Sequence, residues 1–193
     1  AKISKDPLIA QLKQQKETLS SLGVTFKQWF PESDLHKSGE VKQALSALSN
    51  GKWTYEKDGA TWFRSSDLGD EKDRVLIKAD GKLTYFAVDI AYHYNKLERK
   101  FDQLINIWGA DHHGYVARVK ASVKALKNDI NVDESFTILI GQLVNLLRNG
   151  EPVRMSKRTG DMICLDEVID EIGVDAIRYF LVSKSADTHI EFD

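Results

Sequence analysis

Two apolar stretches, Leu104–Trp108 and Phe136–Leu147, constrain this chain more than any other feature. Each is bounded by polar or glycine-bearing segments and suits a strand buried on both faces. Between them Val116, Val119, Val123, Leu126 and Ile130 recur at 3-4 spacing, which predicts an amphipathic helix. After the second stretch the pattern predicts two short helices, at about 165–172 and 174–183. Strand and helix alternating in this way predict a parallel α/β unit with a right-handed crossover. In an open sheet of that kind ligands gather beyond the C-terminal ends of the strands. The segments that leave the two stretches are therefore where chemistry is expected.

The first exit reads Gly109-Ala110-Asp111-His112-His113-Gly114. Glycine there lets backbone approach a ligand closely, and an aspartate can accept two hydrogen bonds from a ribose diol. The second exit reads Glu151-Pro152-Val153-Arg154-Met155-Ser156-Lys157-Arg158-Thr159-Gly160. Pro152 and Gly160 mark it as a loop. Arg154, Lys157 and Arg158 crowd positive charge, and Ser156 and Thr159 add hydroxyl donors. Such a loop suits a polyphosphate, whose oxygens accept charge-assisted hydrogen bonds. On charge alone a solvated surface loop accounts for it better.

The rest of the chain frames these exits. Asp6-Pro7 predicts an N-cap and first helical turn, with Leu8, Ile9, Leu12, Leu19 and Leu22 on one face until Gly23. Val24–Phe30 predicts a strand, and Pro31-Glu32-Ser33-Asp34 a loop at its end carrying two carboxylates. Val41, Ala44, Leu45 and Leu48 mark a second helix closed by Asn50-Gly51. Asp58-Gly59 and Asp80-Gly81 predict two tight hairpins, with Tyr55 opposite Trp62 and Ile77 opposite Thr84. The aromatic group Trp53, Tyr55, Trp62 and Phe63 is read as the core of a small insert rather than a stacking platform for bases. From Tyr85 the period is helical, with Phe86, Ile90, Tyr94, Leu97 and Phe101 as the buried stripe and Tyr85 and Asp89 one turn apart.

Composition excludes several classes. The 193 residues can hold one ordinary domain, or one with a small appendage, and 42% hydrophobic with 29% charged residues are globular values. A net charge of −2 does not announce a nucleic-acid partner. Cys164 is the single cysteine, so neither an intrachain disulfide nor a cysteine zinc cage is available. No apolar run approaches the roughly 20 residues of a membrane span. A cytoplasmic monomer is expected.

Two further groups bear chemistry. Asp89 with a carboxylate from Glu32 and a phenolic rim from Tyr85 would make a cation pocket, and the planar donor fork of guanidinium matches it best. The other possibility is a structural pair on a half-buried helix. His112 and His113, with Asp111 and His93 as helpers, invite a metal reading. Adjacent histidines at a strand exit diverge, however, so capping or substrate contact is preferred and no bound metal is expected.

Arg154-Met155-Ser156-Lys157-Arg158 resembles the Lys-Met-Ser-Lys-Ser signature of class I aminoacyl-tRNA synthetases. Taken with Val24–Asp34, Tyr55–Phe63, Asp73–Tyr115, Gln142–Gly160 and the tail from Gly173, the chain resembles the arginyl-tRNA synthetases of bacterial type along nearly its whole length. The resemblance implies ATP-dependent activation of L-arginine to arginyl-adenylate, with ATP entering as its Mg2+ complex, and transfer to tRNA(Arg). It also implies a Rossmann-like nucleotide-binding domain with a parallel sheet, of which this chain would carry the C-terminal half plus a small α+β insert with hairpins. The segments would be 1–35 and 85–193 for the catalytic domain, with the signature loop at 154–158, and 36–84 for the insert.

Carried over position by position, Glu32, Tyr85 and Asp89 would hold the substrate guanidinium, with Asp111 or His112 near its pocket. Gly109 and Asp111 would contact the ATP ribose. Val153 and Met155 would offer backbone to adenine, and Arg154 would keep charge toward the phosphates. Ser156 and Lys157 would be the catalytic residues that stabilise departing pyrophosphate. Two departures stand out. No His-x-Gly-His occurs, and the helical anticodon-reading domain is absent, so an excised piece, inactive alone, is expected. The rival expectations are a class I synthetase specific for cysteine or glutamine, and a non-catalytic RNA- or protein-binding module.

Overall fold

The computed structural model describes residues 5–127, 131–153 and 163–193. They pack as two compact units, Phe30–Gly141 and Ala1–Trp29 with Gln142–Asp193, a division that runs across the three expected segments.

In the unit Phe30–Gly141, helices α2 (Glu32–Ser38) and α3 (Glu40–Asn50) precede a three-stranded antiparallel sheet, β1 (Thr54–Lys57), β2 (Ala60–Phe63) and β3 (Arg74–Ile77). Asp58 and Gly59 both take positive φ, the geometry a two-residue hairpin needs, and Tyr55 faces Trp62 as the turn demands. Helix α4 (Tyr85–Glu98) starts at Thr84, whose hydroxyl accepts from the Ala87 N–H at 3.3 Å and donates to the Val75 carbonyl at 2.9 Å. One side chain thus caps the helix and ties its start to β3. Phe86, Ile90 and Leu97 are buried on α4, and with Leu35, Leu48, Phe63, Leu76, Val119 and Phe136 they form the core.

Strand β4 (Leu104–Gly109) follows, then a 3₁₀ turn over Ala110–Tyr115, α5 (Val116–Leu126), α6 (Val132–Ser135) and β5 (Phe136–Gly141). β4 and β5 run parallel in register, from Leu104 opposite Phe136 to Gly109 opposite Gly141. This is the strand–helix–strand unit that the hydrophobic pattern predicts.

In the second unit α1 (Lys5–Ser21) belongs with β6 (Val144–Arg148), β7 (Glu151–Pro152), α7 (Leu165–Ile172), α8 (Val174–Val182) and β8 (Ile190–Phe192). β6 pairs parallel with β8 and antiparallel with β7. Asp166 at the start of α7 accepts hydrogen bonds from Gln14 (3.0 Å) and Thr18 of α1.

Several expectations are corrected. Val24–Phe30 is not a strand: among the described residues no strand pairs with it, and Phe26 is exposed. An apolar, alternating segment becomes a strand only where a neighbour supplies the ladder. Pro31–Asp34 is not a loop, because α2 begins at Glu32, with Pro31 as its N-cap and both acids in the first turn, where the helix dipole favours them. The run Phe136–Leu147 is two strands broken at Gln142 and Leu143 and divided between the units. Ile77 faces Leu83, not Thr84, across the Asp80-Gly81 turn, since Thr84 is taken up by the α4 cap. β4 alternates rather than being buried throughout, with Asn106 inside and Ile105 and Ile107 exposed. Leu8, Ile9 and Phe101 are likewise exposed rather than buried.

Candidate functional site

Gly109 ends β4 beside Gly141, at the C-terminal edge of the parallel pair. A Cβ on Gly109 would stand 2.7 Å from Asp111 Oδ1, so glycine is what allows the Asp111 carboxylate to fold back over the strand end. The other oxygen, Oδ2, lies 3.5 Å from His112 Nε2. The His112 ring packs edge-on to Tyr115 and tilted against Trp108, which orients it without burying it. Asp111, His112 and His113 are all exposed. Among the described residues no three histidine, cysteine, aspartate or glutamate side chains converge as a metal set.

Near its start helix α4 turns two side chains to solvent while Phe86, Ala87 and Val88 are buried. Tyr85 is 89% exposed, and Asp89, one turn on, is exposed as well. Glu32, at the start of α2, lines a cleft of about 400 Å³ together with His36, Lys78, Lys82, Thr84 and Tyr85. Desolvation raises the Asp89 carboxyl above its ordinary value, and Glu32 pushes it further the same way, against smaller opposing pulls from His112 and Lys96. Although its surface is open to water, Asp89 sits low enough between its neighbours for desolvation to lead. Glu32, Asp89 and His112 therefore share one electrostatic neighbourhood, and His112 links it to Asp111. Among the described residues neither Glu32 nor Asp89 has an ion-pair partner within 4.0 Å. Lys37 and Lys82, on neighbouring turns, pair instead with Asp34 (3.3 Å) and Asp80 (2.9 Å).

Beneath Asp89 lies a buried polar chain. His93 and Asn106 are each 4% exposed. His93 Nδ1 is 2.7 Å from the Asp89 carbonyl oxygen and Nε2 is 2.8 Å from Asn106 Nδ2. Asn106 Oδ1 accepts from Lys96 Nζ at 2.7 Å, and that ammonium also stands 4.3 Å from the Tyr92 ring centroid. Burial, helped by the Lys96 charge, drives the His93 imidazole down to about 4, so it is neutral at physiological pH. Burial likewise brings Lys96 down to about 8. Sequence reasoning considered His93 only as a helper to a metal and passed over Lys96 and Asn106. The available signal was an asparagine in the middle of the apolar stretch Leu104–Trp108, since a buried amide demands partners.

In the other unit Val153 donates its N–H to the Leu146 carbonyl at 2.9 Å. Val153 lines a mixed cleft of about 340 Å³ with Leu146, Val168 and Phe192 on one hand and Arg148, Glu171 and Asp193 on the other. Arg154, Met155, Ser156 and Lys157 lie outside the described residues.

The sequence profile of tRNA synthetases class I (R), catalytic domain, matches residues 3–190. The chain belongs to this family. It is 52% identical over 183 residues to the arginine–tRNA ligase of Geobacillus kaustophilus, covering 95% of this chain and 32% of that protein. A solved chain from Campylobacter jejuni is 42% identical with a TM-score of 0.83, over 92% of this chain and 38% of its own. The arginyl-tRNA synthetase of Thermus thermophilus, at 20% identity, shares the fold with a TM-score of 0.82, over 97% of this chain and 41% of its own. The chain thus spans about a third of the length of the curated relatives it matches. As a member of a class I synthetase catalytic-domain family it is a mixed α/β structure with a parallel strand pair. Among the described residues no helix is long and apolar enough to cross a membrane.

Proposed function

We propose that this chain carries the amino-acid side of the active site of an arginine–tRNA ligase. In the whole enzyme ATP, entering as its Mg2+ complex, is attacked at the α-phosphorus by the carboxylate of L-arginine. Pyrophosphate leaves, and the arginyl group of the adenylate then passes to the terminal adenosine of tRNA(Arg) in the cytoplasm. Glu32 and Asp89 grip the guanidinium with Tyr85 as the rim. His112 and Asp111 close the side nearest the sheet, and Gly109 with Asp111 meets the ribose. The Val153 and Met155 backbone faces adenine. Arg154, Ser156 and Lys157 meet the phosphates, where preplaced positive charge stabilises the charge developing on the leaving group. On this reading Phe30–Gly141 contains the insert, and the strands β4, β5, β6 and β8 belong to the second half of a Rossmann-like domain.

The observation that carries the reading is the pair Glu32 and Asp89: two carboxylates within each other's field, neither with an ion-pair partner within 4.0 Å among the described residues. Such a pair is a cost to the empty protein that a cationic ligand removes. Guanidinium is the cation whose donor fork fits two carboxylates at once.

The test is an NMR titration of the 193-residue chain with L-arginine, L-lysine and L-citrulline, the last an uncharged near-isostere. Arginine is expected to shift Glu32, Tyr85 and Asp89 resonances selectively, and equal shifts with citrulline would refute the cation pocket. The chain alone is expected to show no arginine-dependent ATP–pyrophosphate exchange, because holding arginine without aligning it on ATP leaves the two reactants unpositioned.

A further inference from the structure

Hydrogen-bond chemistry gives the buried chain under Asp89 a direction. Lysine has only donors, so the Asn106 oxygen must be the atom that faces Lys96 Nζ at 2.7 Å. That leaves the Asn106 NH2 toward His93 Nε2 at 2.8 Å, which must then be the unprotonated acceptor. The ring proton sits on Nδ1 and is donated to the Asp89 carbonyl at 2.7 Å. Every donor in the sequence Lys96, Asn106, His93, Asp89 thus points the same way. The tautomer follows from the partners rather than from choice.

The placement of the chain matters as much as its direction. Asn106 is on β4 three residues before Gly109, and its burial contrasts with exposed Ile105 and Ile107 on the opposite face. His93 and Asp89 are one turn apart on α4. The chain is therefore a polar bolt between the helix turn that presents the Asp89 carboxylate and the strand that ends at Gly109, Asp111 and His112. It also occupies Lys96. The ammonium is held by Asn106 and stacked on Tyr92, itself stacked on Phe30, and is not closed into an ion pair with Asp89.

We propose that His93 and Asn106 are positioning residues of the guanidinium pocket, fixing the Asp89 turn of α4 against the exit of β4 and withholding the Lys96 ammonium from the Asp89 carboxylate. This rests on the guanidinium reading of Glu32 and Asp89 for its consequence, but the bolt itself can be read without any ligand.

Wild type, His93→Phe, His93→Asn and Asn106→Leu forms of the 193-residue chain are compared by NMR. In ligand-free wild type at pH 7 the His93 imidazole nitrogens are expected to report a neutral ring protonated on Nδ1. A ring protonated on Nε2, or charged, overturns the proposal without any variant having to fold. His93→Phe keeps an aromatic ring of similar size, and Asn106→Leu a side chain of similar shape. Each is expected to move the Asp89 carbonyl and the Gly109–His112 amides together, with the melting temperature lowered by several degrees because a buried partner is left unpaired. Each is also expected to weaken arginine about tenfold, the loss of one buried hydrogen-bonded contact. His93→Asn, which returns a donor near the Nδ1 position, is expected to recover most of that loss. Resonances at β4 that stay put in both His93→Phe and Asn106→Leu would show packing alone and overturn the coupling. If no form binds arginine, the guanidinium reading fails, and the ligand-free spectra still decide the bolt.

Discussion

Asp89→Asn isolates the electrostatic cost of the empty pocket. In the folded chain the Asp89 carboxyl lies above its ordinary value, first through desolvation and then through Glu32. An acid whose folded pKa is raised adds stability only while it is protonated. That contribution is present below the unfolded pKa of about 4 and disappears as pH rises through the higher folded value. At pH 7 the ionised group is therefore a net burden, and the amide should stabilise the protein. Because Asp89 is exposed, solvent screens most of the interaction and the gain is about 0.5 kcal/mol, the scale of a surface charge pair. For a chain of this size that is a rise in melting temperature of about 1–2 °C. Thermal unfolding followed by circular dichroism should show the gap at pH 7 and its closing at pH 3, where both forms are uncharged at this position. Raising salt from about 0.05 to 0.5 M should shrink it as the Debye length falls. Arginine should invert the order, stabilising wild type and not the variant. A variant less stable than wild type at pH 7 by about 1 kcal/mol or more, or a gap unchanged at pH 3, would refute the reasoning.

Asp70→Asn should have the opposite sign. Asp70 is desolvated, which alone would raise its carboxyl, but hydrogen bonds from Arg74 and the Glu71 N–H outweigh this and hold it below the ordinary range. With its side chain 1% exposed and bonded by Arg74 Nε and Nη2 at 2.7 Å each, losing the charge should cost about 3 kcal/mol at pH 7 in a urea titration. Gly109→Ala should leave melting within a few degrees while turning Asp111 away, because only the flexible carboxylate end need yield to the new Cβ. The Asp111 and His112 resonances should shift, and resonances that stay unchanged would show that the glycine has no such role. In filter binding at low and moderate salt the chain should retain little tRNA, since its net charge is −2. Tight, salt-sensitive retention would favour the aromatic hairpin, where Tyr55 stacks near Trp62 and Arg64 lies 4.8 Å over the tyrosine ring, as an RNA surface.

What could be read from the sequence was whatever short-range physics decides. The α4 boundary is set by a threonine cap and an apolar 3-4 stripe, and the β1–β2 register by an Asp-Gly turn, all within a few residues. The parallel pair β4–β5 followed from two apolar stretches around a helical period. What failed needed distant partners. Val24–Phe30 has the composition of a strand but no ladder among the described residues, and the break at Gln142 and Leu143 inside an apolar run is where the chain passes between its two compact units. β8 was missed because Ile190–Phe192 is three residues long and becomes a strand only by pairing with β6. Of the candidate site, Glu32, Tyr85, Asp89 and His112 fall within one unit. Glu32 does so from a helix start rather than a loop. The bolt beneath them was legible only in part: Asn106 signals an unmet need for partners, but nothing local names His93 and Lys96 as the ones that meet it.

The same unit solves the problem of a desolvated carboxylate in two ways, and the contrast bears on function. At Asp70 the cation comes from within: Arg74, four residues on, closes a two-pronged pair, and the group is ionised, buried and chemically finished. At Asp89 a lysine is available on the same helix, two turns on, yet its ammonium is spent on the Asn106 oxygen and the Tyr92 ring. Had Lys96 closed on Asp89, an incoming guanidinium would need to displace a charge already paired. Its fork would then meet one free carboxylate instead of two. Leaving Asp89 and Glu32 unpaired keeps the empty protein slightly less stable, and it reserves the full attraction for a ligand that brings its own charge. On the proposed reading, an acidic pair without a contact ion pair among the described residues, beside a lysine whose ammonium is held by Asn106 and the Tyr92 ring, is what a pocket for a cation requires.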